Sequence, residues 1–208
     1  AILSLISKAK GDGMTAGEYA EKHGRQSFRA RVASDAWRKY DETLAKEKAL
    51  DFDDLIAKSV RLLQTDVQAR SAVQERFHYI HIDEYQDTNE LQGKLAALLT
   101  GDRKNLFVVG DIDQTIYTWR GATIDNLLEF DRAYPSAKTI VLEHNYRSSA
   151  TIVEAANQII EKNKNRKDKI SVTDNGPGER IQVHMAGTAE EEARFIADEA
   201  ARRVREGA

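Results

Sequence analysis

Three short stretches of the chain carry side chains that could handle a phosphate, a metal ion and a base. In YIHIDEYQDT, Tyr79 to Thr88, an apolar run ends in Asp83, Glu84 and Asp87. Carboxylates at such a point suit magnesium, directly or through water, and a neighbouring carboxylate can take a proton from an attacking water. In GDIDQTIYTWRGA, Gly110 to Ala122, Gln114 is a neutral group able to meet a terminal phosphate or orient a water. The same loop carries Tyr117, Trp119 and Arg120. Two aromatic faces and a planar cation suit stacking on unpaired bases, where each stacked base contributes ~1–3 kcal/mol. In HNYRSS, His144 to Ser149, Arg147 can grip a phosphate with both guanidinium arms and Tyr146 can stack on a base.

Each stretch alone has a plainer reading. Asp87 followed by Glu90 fits a helix capping box. Tyr117 and Trp119 could be ordinary core with Arg120 in a surface ion pair, and HNYRSS could be a helix cap with an incidental arginine. The weight lies in the succession, because an acid pair, a glutamine and an arginine follow three consecutive predicted strands.

Those strands are FHYIHI, NLFVVG and KTIVLE, short aromatic and β-branched runs separated by helix-length stretches centred on Leu91, Leu95 and Leu98 and on Ile124, Leu127 and Leu128. Strand, helix, strand, helix, strand predicts a parallel sheet flanked by helices, with ligands beyond the carboxyl ends of the strands. Residues 1–76 carry helical periodicity and almost no strand signal. Phe28, Val32, Ala36, Tyr40 and Leu44 recur every four residues and are expected to form a core stripe. Thr15 with Glu18 predicts a capped helix start, and Leu55, Ile56, Val60 and Leu63 mark a further helix behind DFDD. After Asn145, Ser149 is expected to cap a helix carrying Ile152, Val153, Ala156, Ile159 and Ile160. A polar stretch, EKNKNRKDK, and a DNGPGE turn lead to one more predicted strand, RIQVHM, and a helix opened by Thr188 and Glu191.

The 208 residues are 41% hydrophobic, enough for a core, and contain no cysteine, which removes disulfides and thiolate metal sites. That usage agrees with a reducing compartment, and a cytoplasmic location is expected. Lys+Arg total 31 against Asp+Glu 34, so the net charge of −3 supplies no global basic field and any nucleic-acid binding must be local. No run approaches the ~20 apolar residues of a membrane span. AILSLISKAK lacks a basic leader and cleavage site and reads as the cut end of a helix. His78 and His81 would face opposite sides of a strand, which argues against a zinc site.

In order and spacing, IHIDEYQDTN, VVGDIDQTIYTWRGA and LEHNYRSS resemble successive signature motifs of the UvrD/Rep/PcrA group of superfamily 1 DNA helicases. LDFDDL at Leu50 to Leu55, AAN at Ala155 to Asn157, NRK at Asn165 to Lys167 and the EEEARFI helix extend the resemblance over nearly the whole chain. The resemblance implies an α/β fold: part of a RecA-like P-loop NTPase motor with a parallel sheet, plus an α-helical subdomain at the N-terminus. Residues 1–76 would belong to a helical subdomain inserted in the first motor domain, 77–144 to that motor domain, and 145–208 to the start of the second. It implies ATP and Mg2+ as cofactors, with Asp83 and Glu84 at the metal and Glu84 activating the hydrolytic water. Gln114 and Arg147 would contact the γ-phosphate and Tyr146 would stack on adenine. Tyr117, Trp119 and Arg120 would lie along single-stranded DNA, which such motors follow with 3′-to-5′ polarity toward single/double-strand junctions, in repair or replication.

The phosphate-loop pattern G-x-x-x-x-G-K-[ST] does not occur in these 208 residues. GDGMTAGEY has glycines but no lysine and sits among predicted helices. The chain therefore reads as an internal stretch of a longer helicase, with little ATP hydrolysis or unwinding by itself and apolar surface prone to self-association. Two other classes compete. A nuclease would use Asp83, Glu84 and Asp87 for metal-assisted cleavage but gives Gln114 and Arg147 no work. A non-enzymatic module would bind single-stranded DNA or a protein partner without responding to ATP.

Overall fold

A computed structural model describes residues 2–118, 121–123, 125–163 and 169–207, so Trp119, Arg120, Ile124 and the NRK stretch lie outside the described residues. The chain divides into two compact units, Ala1–Thr139 and Ile140–Ala208. The described residues are mostly helical with one small parallel sheet, as in a partial α/β domain.

The first unit opens with five helices: α1 (Ile2–Gly11), α2 (Ala16–His23), α3 (Phe28–Glu47), α4 (Phe52–Thr65) and α5 (Val67–Arg76). Local chemistry sets their starts. Thr15 accepts from the Glu18 N–H at 3.2 Å while the Glu18 carboxylate accepts from the Thr15 N–H at 2.7 Å, the expected reciprocal cap of α2. Ser27, Asp51 and Asp66 cap α3, α4 and α5 in the same way from one side.

The face that α3 buries is not the expected one. Phe28 is 73% exposed and Val32 is also exposed, whereas Ala30, Ala33, Ser34 and Trp37 are buried. A strict four-residue spacing overshoots a 3.6-residue turn and drifts by about 40° per step, so Phe28 to Leu44 winds around the helix. Positions 30, 33, 34 and 37 hold one face. Trp37 and Ala33 pack with Ile6, Ala9 and Tyr19 into a core, the Tyr19 and Trp37 ring centroids 5.7 Å apart.

LDFDDL acts beside this core. Asp51 caps α4 through the Asp54 N–H at 2.7 Å and accepts from the buried Lys10 ammonium at 2.8 Å. Asp54 accepts from the same ammonium at 3.0 Å, and Asp41 lies at 3.5 Å. Lys58 approaches the other Asp54 oxygen at 3.1 Å, an ion pair by distance that lacks hydrogen-bond direction. Burial alone would lower the Lys10 pKa, but the Asp51 and Asp54 carboxylates more than reverse this and raise it.

The sheet pairs β1 (Ile80–Ile82) with β2 (Leu106–Val108) in parallel, Ile80 opposite Leu106 and Ile82 opposite Val108. Parallel strands need a crossover, which α6 (Glu90–Thr100) supplies. Its cap corrects an expectation. Asn89, with Gln92 in the reciprocal position, forms the capping box, and Asp87 instead ends the 3₁₀ turn Tyr85–Asp87. The later helical stretch is two short pieces, α7 (Asp125–Leu128) and α8 (Phe130–Ala133).

Two predicted strands do not form. KTIVLE stays extended with Leu142 79% exposed, and only at its end does His144 bridge Val172, with Asn145 N–H to Val172 C=O at 2.7 Å. RIQVHM likewise leaves Ile181, Val183 and Met185 exposed. Neither run has a flanking strand among the described residues, and β propensity expresses itself only where a side-chain face is covered and a backbone ladder is available. The second unit is otherwise α9 (Ala150–Ile160) and α10 (Ala189–Arg205), joined by turns. Ser149 begins α9 without a side-chain hydrogen bond, whereas Thr188 caps α10 through the Glu191 N–H. Among the described residues no helix is long and apolar enough to cross a membrane.

Candidate active site

The first unit presents its acid pair where β1 stops. Asp83 accepts from the Glu84 N–H at 2.9 Å, and Glu84 itself stands in left-handed backbone at φ 51°. For a residue with a Cβ that conformation is uncommon and must be held by its surroundings. It is held from both sides. The Tyr85 N–H donates to Val109 C=O at 2.9 Å and the Val109 N–H to Ile82 C=O at 2.8 Å, tying the turn after β1 to the end of β2.

Between the strand ends lies Gln86, only 1% exposed. Its Oε1 accepts from the Asp111 N–H at 3.0 Å and its Nε2 donates to Glu84 Oε2 at 2.7 Å. A backbone N–H can only donate, so the atom facing Asp111 must be the oxygen and the amide orientation follows. Asp111 in turn accepts from Gln114 Nε2 at 2.8 Å through one oxygen and from the Asp113 N–H at 3.0 Å through the other, which shapes the 3₁₀ turn Ile112–Gln114. Asp83, Glu84 and Gln114, read separately from the sequence, are thus linked through Gln86 and Asp111. Neither connecting residue was singled out by type and spacing. The available signals were a glutamine two positions after the acid pair and a glycine directly before Asp111.

Further along, the loop is anchored to the acid turn. Asn126 Nδ2 donates to Thr88 C=O and Asn89 C=O, each at 3.1 Å, and the Thr123 N–H reaches Thr88 C=O at 3.2 Å. Tyr117 is half-buried at the base of the segment whose Gly121 and Ala122 N–H groups fold back on Thr118 and Tyr117. Trp119 and Arg120, expected beside it on DNA, fall outside the described residues. Asp87 keeps its Oδ1 buried and without a hydrogen-bond partner among the described residues.

Tyr146 and Arg147 belong to the second unit. The Asn145 side chain accepts from the Arg147 and Ser148 N–H groups at 2.9 and 2.8 Å, a tight turn that leaves both Tyr146 and Arg147 exposed. Asn175 Nδ2 donates to Tyr146 C=O at 3.3 Å and Ser148 C=O at 3.1 Å, bracing the turn from the DNGPGE segment. Tyr146 is 83% exposed, and its ring lies tilted at 43° to that of His144 with centroids 4.3 Å apart, which leaves ring surface open for stacking.

As a metal position, Asp83 and Glu84 offer hard oxygen donors and nothing softer. Among the described residues no group of three His, Cys, Asp or Glu is placed to enclose an ion. Two exposed neighbouring carboxylates fit an ion that retains water and takes further oxygens from a phosphate, which is how Mg2+ is held.

Comparison with known proteins bears on what the arrangement serves. Residues 1–135 match the family model described as UvrD/REP helicase N-terminal domain, and residues 140–208 match that of the UvrD-like helicase C-terminal domain. The chain is 43% identical over 195 residues to the ATP-dependent DNA helicase PcrA of Leuconostoc citreum, covering 94% of this chain and 26% of that protein. It is 42% identical over 205 residues to the PcrA of Staphylococcus epidermidis strain RP62A, with 99% and 28% covered. Against the PcrA of Staphylococcus aureus strain COL the identity is 44% over 180 residues, 86% of this chain and 25% of the relative. The chain spans about a quarter of the length of the curated relatives it matches.

Proposed function

The chain belongs to the UvrD/REP helicase family, and from that premise we propose that it is part of an ATP-driven motor that moves 3′ to 5′ along single-stranded DNA and separates duplex at junctions. The observation that carries this reading is the hydrogen-bond path from Glu84 through Gln86 and Asp111 to Gln114, which joins a proton acceptor to a phosphate-contacting amide. The names of the relatives support ATP as the fuel and DNA as the track.

In this proposal Asp83 and Glu84 hold Mg2+, whose charge would neutralise the phosphate oxygens. Glu84 takes the proton of the attacking water. Gln114 and Arg147 contact the γ-phosphate, the arginine as its cationic partner. Tyr146 stacks on the adenine with its open face. Tyr117, Trp119 and Arg120 follow Gln114 along the chain, so a shift at the phosphate is passed within a few residues to groups suited to bases. We further propose that residues 1–76 are a helical insertion in the first motor domain, that 77–144 continue that domain, and that 145–208 begin the second. A cytoplasmic role in repair or replication follows from the same reading.

The phosphate-gripping lysine loop is not among these 208 residues, so hydrolysis by this stretch alone is expected to be negligible. The test uses a longer protein that includes such a loop and the remainder of the second motor domain. DNA-stimulated ATP hydrolysis is expected, and Glu84→Gln should lower kcat on the order of 10²-fold or more. Absence of DNA stimulation, or hydrolysis untouched by Glu84→Gln, overturns the proposal.

A further inference from the structure

We infer that Gln86 is a positioning residue, one that locks the Glu84 carboxylate to the loop carrying Gln114 so that proton acceptor and phosphate contact move as a unit. The inference rests on the function proposed above. It is carried by four observations in the first unit.

The Gln86 side chain is almost completely enclosed, yet both ends of its amide are used, Nε2 on Glu84 at 2.7 Å and Oε1 on the Asp111 N–H at 3.0 Å. An enclosed amide is stable only when its hydrogen bonds are made, so neither contact can be given up independently. The packing around it is also closed. A Cβ added at Gly110 would come within 2.8 Å of Gln86 Oε1 and 3.2 Å of Leu127 Cδ2, which leaves the amide no alternative position on that side. Glu84 meanwhile sits in left-handed backbone, and its carboxylate needs an external constraint to keep one direction. Lastly, the residue whose N–H fixes Gln86 is the residue whose carboxylate holds Gln114 at 2.8 Å. A glutamine serving the fold alone could use any pair of backbone partners. This one spends its donor on the carboxylate proposed to take the proton, two residues away in the chain, and its acceptor on the other strand's loop.

The functional consequence is concerted alignment. When Gln114 shifts on contact with a terminal phosphate, Asp111 moves with it, and Gln86 transmits the shift to the Glu84 carboxylate. Glu84 would then face the water only when the phosphate is in place.

The experiment measures DNA-stimulated ATP hydrolysis by the full-length protein carrying Gln86→Met, which retains length and removes both hydrogen bonds. The expected result is a kcat lowered about 10- to 100-fold, with KM for ATP and affinity for single-stranded DNA within about threefold of wild type. Combining Gln86→Met with Gln114→Ala should lower kcat no further than the worse single change, because groups acting as a unit are not additive. Should Gln86→Met not fold, Gln86→Glu keeps the shape and the acceptor for Asp111 while setting a carboxylate oxygen against Glu84, and the same kcat loss at steady KM is expected. Wild-type kcat in whichever variant folds, or losses that multiply in the double variant, overturn the inference. Glu84→Gln separates the two levels. If it is inactive while the Gln86 variants hydrolyse normally, only the Gln86 assignment fails; if it hydrolyses normally, the proposed function fails with it.

Discussion

The Lys10 ammonium, on a residue only 3% exposed, lies 2.8 Å from the Asp51 carboxylate that also caps α4. One acid therefore closes a helix start and neutralises a buried cation from a different helix. In LDFDDL, Asp51 and Asp54 thus join the start of α4 to α1.

Asp51→Ala is expected to destabilise the first unit by about 3 kcal/mol, because it removes one of the two carboxylates hydrogen-bonded to the buried Lys10 ammonium and a helix cap together. Burial by itself would raise the Asp51 pKa, but the hydrogen bonds from Lys10 and the Asp54 N–H outweigh it and hold the carboxyl below its usual range. A lowered carboxyl pKa contributes stability that is present above the ordinary carboxylate range and is lost as pH falls through the depressed value. Urea unfolding midpoints followed from neutral pH to roughly pH 2 should drop steeply for the wild type and less steeply for Asp51→Asn. Equal slopes would sink this account.

Lys48 ends α3 in left-handed backbone at φ 53°, with its N–H on Ala45 C=O and the Ala49 N–H on Leu44 C=O. Glycine adopts that conformation without the Cβ clash and is the usual residue at such helix ends. Lys48→Gly is expected to stabilise the protein by about 1 kcal/mol, visible as a rise in Tm by calorimetry. Lys48→Val should lower Tm.

Gly110 bears on both stability and chemistry. A Cβ at this position would lie 2.8 Å from Gln86 Oε1, so alanine must displace the amide or the turn. Gly110→Ala is expected to cost about 1–3 kcal/mol and, in the longer protein, to lower kcat more than it raises KM. Thermal unfolding and steady-state hydrolysis on one preparation would check both halves.

Tyr146 offers the opposite case, an exposed aromatic ring that meets the ring of His144, so its removal costs little packing. Tyr146→Ala should leave Tm unchanged and raise KM for ATP about three- to tenfold, the range of one aromatic stacking contact. A Tm loss without a KM effect would mark the ring as structural.

The part of the candidate site that the first unit brings together was legible where its chemistry is local. The acids after β1 and the glutamine after β2 are adjacent in sequence to the elements that present them, and caps such as Thr15 with Glu18 close within one turn. The alternative of Asp87 as a cap fails for a local reason too, since Asn89 offers the same chemistry two positions later with Gln92 to complete it. Gln86 was not legible, because its partners are Glu84 and a backbone N–H reached only across the paired strands.

By itself the sequence determined the order of chemical groups, the capped starts of α2 and α10, the parallel β-α-β unit and the family. All of these depend on neighbours along the chain. Tertiary structure decided which face of α3 is buried, that Lys10 is enclosed by Asp51 and Asp54, that KTIVLE and RIQVHM remain unpaired among the described residues, and that one buried amide joins the two strand ends. Burial, ladder pairing and the direction of a side-chain hydrogen bond are properties of what a residue meets in space, and hydrophobic period and residue type leave that open.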